Sequence, residues 1–214
     1  ARQQREYAQL LPSLVEARRW FHRNPVLSTS EVAPGREIAS RLAAMGYTPR
    51  TGVAGNGVVA VLTGGRPGGV VAWRSDIDAL PIGEQVDVPF ASENAGVMHA
   101  CGHDVHTTIG LGTAAVLMRL RQDVPGTVVF LFQPAEEGPP AGEKGGAPLM
   151  IEEGVLENPA PRAIFGLHVM PSLRAGLVGW RSGGINAAAD GFRVTVHGEM
   201  SHGSAPHRGV DAVY

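Results

Sequence analysis

Apolar residues recur every three or four positions in three stretches of the chain, which predicts three amphipathic helices. The first covers about residues 3–22. The second has Pro34 in its first turn and Gly46 just after its end, where a left-handed conformation is common. The third covers about Asp104–Arg121. We expect each helix to bury its apolar stripe and to expose its charged side.

Short apolar runs rich in β-branched residues predict strands between and after these helices. They cover Val58–Leu62, Val70–Trp73, Thr127–Phe132 and Ala163–Val169. We expect the first two, which are separated by a Gly- and Pro-rich turn, to be buried on both faces. Because strands alternate with helices, the pattern predicts an α/β domain with a mostly parallel sheet and helices on both faces.

The pattern changes from about Ala188 onward. Apolar and polar residues alternate from Phe192 to His197, which predicts a strand with one solvent-facing side. We therefore expect a larger domain at residues 1–187 and the beginning of a smaller domain at residues 188–214.

Composition and charge narrow the functional classes. The 214 residues include 18 Lys+Arg and 20 Asp+Glu, and the formal net charge is −2. This balance supplies no broad basic field for nucleic acid, and no basic amphipathic stretch suits a membrane surface. We expect a soluble protein without nucleic-acid or membrane partners. A cytoplasmic location is favoured, with a periplasmic or secreted one expected if a leader is removed before Ala1.

The single cysteine lies in a cluster of histidines. Cys101 is surrounded by His99, His103 and His106. A thiolate and an imidazole two residues apart in a glycine-containing turn can face one cation. Taken alone, the cluster is equally consistent with a buried thiol beside a helix-capping His–Asp pair.

Other potential metal ligands follow the predicted strands. Asp76 and Asp78 follow the second strand, Glu136 and Glu137 follow the third, and His168 lies at the end of the fourth. Open α/β sheets place their functional sites at strand ends. In the Glu pair, one carboxylate can bind a metal while the other acts as a general base. Each feature alone has an ordinary structural explanation, but together they predict a metal site.

The order of these motifs closely resembles the amidohydrolase branch of the M20 metallopeptidases, which includes N-acyl-amino-acid amidohydrolases, hippurate hydrolases and auxin-conjugate hydrolases. The resemblance implies an α/β catalytic domain, the start of a smaller α+β lid and dimerisation domain, and a homodimer of the full-length parent. It covers nearly the whole chain and rests on Arg19–Pro25 with Leu27, Ser28 and Glu31, Arg74–Pro81, Met98–Thr107, Phe132–Gly138, Gly166–Pro171, and Ser201–His207 with Gly209–Asp211.

The resemblance implies one or two divalent metal ions as cofactors. Their ligands would be Cys101, His103, Glu137 and His168, with Cys101 bridging two ions. A thiolate ligand favours Zn²⁺, whereas the carboxylate and imidazoles also suit Mn²⁺, Co²⁺ or Ni²⁺.

The resemblance also implies the reaction. A metal-activated water would cleave the amide bond of a small N-acyl amino acid or peptide, with Glu136 as the general base. Asp78 would support the metal site from behind, and His202 would donate to the oxyanion of the tetrahedral intermediate.

Two other classes stay open. A cysteine hydrolase with Cys101 as nucleophile and His103 or His106 as base explains the Cys–His cluster, but it leaves the Glu pair and the later histidine without a role. An inactive metal-binding fragment or module is the second class. Family members are expected to continue beyond Tyr214 and to add one more metal-binding histidine, so a chain ending there would bind metal weakly and show little activity.

Overall fold

The computed structural model describes residues 2–186 and 192–213. The chain divides into two compact units, Ala1–Met170 and Pro171–Tyr214. The domain boundary that the sequence predicts, between residues 187 and 188, lies outside the described residues and stays a prediction. Within the described part, no helix combines the length and the hydropathy that a bilayer span requires.

The first unit contains all four α-helices and all five strands of the described residues. The helices are α1 (Arg2–Arg23), α2 (Val32–Ala44), α3 (His103–Arg119) and α4 (Gly146–Glu152). The strands are β1 (Arg50–Val53), β2 (Gly57–Thr63), β3 (Arg66–Asp76), β4 (Pro125–Gln133) and β5 (Ile164–Gly166).

The five strands form one sheet with the order β1-β2-β4-β3-β5. Strand β3 pairs in parallel with β4 and β5, whereas β2 pairs antiparallel with β1 and β4. Since β2 alone runs against the others, the sheet is mostly parallel in direction. The predicted α/β fold is confirmed.

Strand β4 lies in the middle of the sheet and separates two apolar cores. Val128, Phe130 and Phe132 point to one face, where they pack with residues of α1, α2 and α3. Val129 and Leu131 point to the other face, toward Met150 of α4. Burying a side chain of this size contributes about 2 kcal/mol relative to leaving it exposed. Helices therefore cover both faces, as the sequence predicts.

Two strand predictions need correction. Strand β5 covers only Ile164–Gly166 instead of Ala163–Val169, and its three residues are exposed because β5 pairs with β3 alone. Residues 192–197 of the second unit do not form the predicted strand. Phe192 is 92% exposed, and none of the β pairings among the described residues includes residues 192–197. A strand requires such pairing for its backbone groups.

Candidate metal centre

The candidate site residues of the first unit meet where β3, β4 and β5 end and α3 begins. Strands that run in parallel bring their carboxyl ends to one edge of the sheet, where open α/β sheets place their sites. Three groups of side chains at this edge offer ligand atoms that lie within 4.8 Å of one another. They are Cys101/His103/His168, His103/Glu136/Glu137 and Asp76/His103/His106.

His103, the first residue of α3, belongs to all three groups. Its Nε2 lies 3.6 Å from Glu137 Oε1 and 3.7 Å from Glu136 Oε2. Its Nδ1 lies 3.3 Å from Asp78 Oδ1 on the opposite side of the ring. Ligating histidines commonly direct their second nitrogen to a carboxylate in this way.

Buried atoms without partners indicate what this histidine is suited to bind. Among the described residues, neither ring nitrogen of His103 nor Asp78 Oδ1 has a well-aligned hydrogen bond, although all three atoms are buried. Unpaired buried polar atoms are costly. A cation at His103 Nε2 would satisfy that nitrogen and leave the ring proton on Nδ1, which faces Asp78 Oδ1, so the arrangement fits a metal ligand.

Cys101 and His168 form the second side of the cluster. Cys101 Sγ lies 3.3 Å from His168 Nε2. His168 Nδ1 donates to the Val169 carbonyl at 2.7 Å, so the lone pair of the neutral ring is on Nε2, facing the thiol. Both side chains therefore direct a potential metal-binding atom to the same place.

Burial and the nearby carboxylates of Glu137 and Glu136 raise the pKa of the Cys101 thiol to about 12. A cysteine nucleophile requires the opposite, a lowered pKa. A cation among these groups would reverse the effect, because its charge stabilises the thiolate. The electrostatics favour a ligand role for Cys101 over a nucleophilic role.

His106 has its nitrogens engaged elsewhere. Its Nδ1 donates to Asp76 Oδ1 at 2.7 Å, and its Nε2 accepts the Val169 N–H at 2.9 Å. His106 therefore ties the end of β3 to the segment that carries His168. Sequence reasoning considered His106 only as a base in a cysteine hydrolase and missed this link, since nothing in the local pattern connects it to residue 169.

Gly102 allows the Cys101–His103 turn to approach this segment. Its φ is +88°, and an added Cβ would lie 2.3 Å from Val169 Cγ2. Only glycine combines this backbone conformation with this close approach.

Asp78 and Ser28 support the Glu pair from behind. Asp78 is 0% exposed, and its Oδ2 accepts the Glu137 N–H at 2.9 Å and the Ser28 hydroxyl at 2.7 Å. Burial alone would raise the pKa of Asp78, but His103 and these donors hold it below its ordinary value. The supporting role of Asp78 toward a metal stays a prediction.

The neighbouring carboxylates also act on His103. Burial alone would lower the pKa of His103, yet Asp78, Asp76 and Glu136 outweigh burial and raise it. Arg74 is the cation in contact with this cluster, through Asp76 Oδ2 at 2.6 Å and Glu136 Oε1 at 3.7 Å. Four carboxylates against one guanidinium provide the negative potential that a divalent cation requires.

A second polar network fixes the start of α3 against α1. His22 donates to Asp104 Oδ2 at 2.7 Å and to Glu84 Oε1 at 2.9 Å. Arg18 also binds Asp104 Oδ2, at 2.9 Å. The Asp104 hydrogen bond raises the pKa of His22, against burial, which favours the charged form of the ring between its two carboxylates. Since Asp104 follows His103, this network limits the movement of the site.

His202 lies in the second unit, in an exposed segment. Its Nδ1 accepts the Ser204 N–H at 3.2 Å and lies 2.8 Å from Ser204 Oγ. This contact leaves the proton of the neutral ring on Nε2. The predicted role of His202 toward substrate stays a prediction.

Known proteins resemble this chain over most of its length. The Peptidase M20 profile, described as peptidase family M20/M25/M40, matches residues 72–210. An N-acyl-L-amino acid amidohydrolase from Geobacillus stearothermophilus is 41% identical over 92% of this chain and 51% of its own length. Thermostable carboxypeptidase 2 from Saccharolobus solfataricus is 41% identical over 94% of this chain and 50% of its own length.

A solved structure shows the same likeness. The Bacillus subtilis protein described as a dinuclear metal binding peptidase from the M20 family aligns with a TM-score of 0.69 and 42% identity, over 79% of this chain and 45% of that one. The chain spans about half the length of the curated relatives it matches. From the profile match and these relatives, the chain belongs to peptidase family M20/M25/M40.

Proposed function

We propose that the protein is a metal-dependent amidohydrolase that cleaves the amide bond of N-acyl amino acids or short peptides. The observation that carries the proposal is His103, a buried histidine without a well-aligned hydrogen bond among the described residues, which contacts a supporting carboxylate on one side and a Glu pair on the other. The names of the amidohydrolase and carboxypeptidase relatives support the substrate class.

Cys101, His103, Glu137 and His168 would hold one or two divalent ions, because their ligand atoms converge at the sheet edge. Bound there, a divalent ion lowers the pKa of water toward ~7 and polarises the scissile carbonyl. The thiolate favours Zn²⁺, while Mn²⁺, Co²⁺ and Ni²⁺ also suit the donor set.

Glu136 would be the general base. Its side chain is 36% exposed, against 1% for His103, so it can reach both solvent and a substrate. Glu136 takes a proton from the water that attacks the carbonyl carbon, and it delivers that proton to the leaving nitrogen when the C–N bond breaks. His202 Nε2–H would donate to the oxyanion, an interaction worth about 3 kcal/mol in comparable sites.

The two members of the Glu pair provide a matched test. We expect Glu136→Gln to keep wild-type metal content and to lose at least about 100-fold in kcat on N-acetyl amino acids, because it removes the base but no ligand. We expect Glu137→Gln to lose metal affinity instead. Metal analysis and steady-state kinetics measure both. A Glu136→Gln protein with full metal and wild-type kcat would contradict the mechanism.

Chelation separates this proposal from a cysteine hydrolase. Treatment with EDTA should abolish activity, and Zn²⁺ or Mn²⁺ should restore it. Activity that resists EDTA and disappears on thiol alkylation would instead favour the nucleophilic cysteine. The homodimer and the cytoplasmic location stay predictions.

A further inference from the structure

One buried carboxylate outside the proposed ligand set lies behind the turn that carries the Glu pair. Glu31, just before α2, is 0% exposed. Its Oε1 accepts the Ala135 N–H at 2.7 Å, and its Oε2 accepts from Asn56 Nδ2 at 3.2 Å. Among the described residues, no Lys, Arg or His forms a salt bridge with it. A carboxylate buried without a cation is costly, so its position calls for an explanation.

Glu31 accepts a hydrogen bond from a residue that has a left-handed backbone conformation and lies immediately before the Glu pair. Ala135 has a φ of +49°, which residues other than glycine rarely adopt. It is also buried, so its N–H has no access to solvent. The Glu31 carboxylate satisfies that N–H in the conformation that turns the chain out of β4.

The other side of Glu136 is held in the same manner. Asp78 Oδ2 accepts the Glu137 N–H at 2.9 Å. Two buried carboxylates from separate segments thus hold the backbone N–H groups on either side of Glu136. Asp78 also contacts His103 directly, whereas Glu31 is linked to the Glu pair by its hydrogen bond with the Ala135 backbone.

The surroundings of Glu31 have opposing effects on its carboxyl group. Burial and the nearby charge of Asp78 raise the pKa of Glu31, whereas its own N–H, the Ala135 N–H and the Asn56 amide oppose this rise. Asn56 Nδ2 also donates to the Thr29 carbonyl at 2.9 Å, so its amide has a fixed orientation toward Glu31.

We propose that Glu31 is a positioning residue for the Glu136–Glu137 pair. By holding the left-handed turn at Ala135, it keeps Glu137 beside His103 and leaves Glu136 exposed to substrate. The metal-binding consequence rests on the proposed function, whereas the hydrogen bond itself does not.

Two measurements on the whole protein test this role separately. The first is amide hydrogen exchange of Ala135 in the metal-free protein. Glu31→Ala removes the acceptor and should speed this exchange about tenfold or more. Glu31→Gln keeps an oxygen for the Ala135 N–H and should remain close to wild type. Exchange at Val129, in the middle of β4, should not change in either variant.

The second measurement is Zn²⁺ affinity by competition with a chromophoric chelator. We expect Glu31→Ala to weaken binding by about 10–100-fold, as the loss of a supporting contact does in metal sites. Glu31→Gln should recover most of it. The matched control is Glu153→Ala, because Glu153 also accepts a backbone N–H, that of Ala54 at 2.9 Å, but contacts none of the proposed ligands. It should bind Zn²⁺ like the wild type.

The proposal requires that variants in which the Ala135 amide exchanges faster also bind Zn²⁺ more weakly. If Ala135 becomes unprotected against exchange while Zn²⁺ affinity stays at the wild-type value, or affinity is lost while protection remains, the positioning role is wrong.

If Glu31→Ala does not fold, Glu31→Asp replaces it, since the shortened carboxylate cannot reach the same N–H. A wild-type protein that binds no Zn²⁺ would overturn the proposed function and the metal-binding half of this inference, while Ala135 exchange would still decide the hydrogen bond.

Discussion

At the residue scale, His103 joins the thiol side of the site to its carboxylate side. One nitrogen faces Asp78 and the other faces the Glu pair. A nitrogen with one lone pair binds one ion, so His103 can serve only one metal position. If two ions bind, the ligands of the second would have to come from the other members of the cluster, such as Cys101, His168 and the Glu pair.

Because His103 can be protonated, Zn²⁺ affinity and the stability of the metal-free protein should change in opposite directions with pH. The carboxylates of Asp78, Asp76 and Glu136 raise the pKa of His103 above its ordinary value of 6.5, against burial. Protons therefore compete with the metal ion for His103 at pH values of about 6.5 and somewhat above. Zn²⁺ affinity should fall as pH falls from about 8 to 6. Competition titrations at a series of pH values measure this.

The metal-free protein should behave in the reverse way. A pKa that is raised by folding adds stability that is complete below the unfolded value and is lost as pH rises through the folded value. The His103 contribution to the free energy of unfolding should therefore decrease above about pH 6.5, as urea titrations can show by difference from His103→Asn. A Zn²⁺ affinity that is constant over this pH range would contradict His103 as a ligand.

At the element scale, the apolar run of β4 and the apolar stripes of α1, α2 and α3 suffice to predict these elements from sequence. Strand β1 could not be predicted, because Arg50, Thr51 and Gly52 are exposed and carry no apolar signal. The insertion of β4 between β2 and β3 is also absent from the local pattern, since it depends on long-range pairing.

The site shows the same division between local and long-range information. Its position at strand ends is predictable because parallel strands bring those ends together. The contact of Glu31 with Ala135 joins residues 104 positions apart, so no local spacing could indicate it. The same applies to the link from His106 to Val169, which are 63 positions apart.

The turn before α3 offers a test at this scale. Gly102 and Gly96 both have left-handed backbone conformations, with φ of +88° and +77°. A Cβ added to Gly102 would clash with Val169, whereas a Cβ added to Gly96 would have no atom within 4 Å. Gly96→Ala should lose about 1 kcal/mol of stability from backbone strain alone. Gly102→Ala should lose more and should also weaken Zn²⁺ binding, because Val169 must move and His168 moves with it.

Thermal unfolding and Zn²⁺ titration of these two variants separate backbone strain from the close approach. Equal stability loss and equal Zn²⁺ affinity in both variants would show that contact between Gly102 and Val169 does not position His168.

At the scale of the whole molecule, the charge is unevenly distributed. The formal net charge is only −2, yet Asp76, Asp78, Glu136 and Glu137 are concentrated at one edge of the sheet. Overall composition therefore cannot reveal the site, which depends on how the fold brings these residues together. The order of separated motifs contains that information, and it is why the family could be predicted from sequence.

The sequence pattern predicts the structure of the second unit less well than that of the first. The alternation at residues 192–197 predicts a strand, but these residues have no paired neighbour in the described structure, and Phe192 and Val194 are exposed. The start of a lid and dimerisation domain at residues 188–214 stays a prediction.

The central claim is that Cys101 is a metal ligand at this sheet edge. Titration of the metal-free protein with Co²⁺, followed by absorption spectroscopy, tests it most directly. Since Cys101 is the only cysteine in the chain, a thiolate-to-cobalt charge-transfer band in the near ultraviolet can come from no other residue. We expect this band to saturate with bound Co²⁺ in the wild type and to disappear in Cys101→Ser. Co²⁺ binding without the band, or no Co²⁺ binding by a folded protein, would contradict the account.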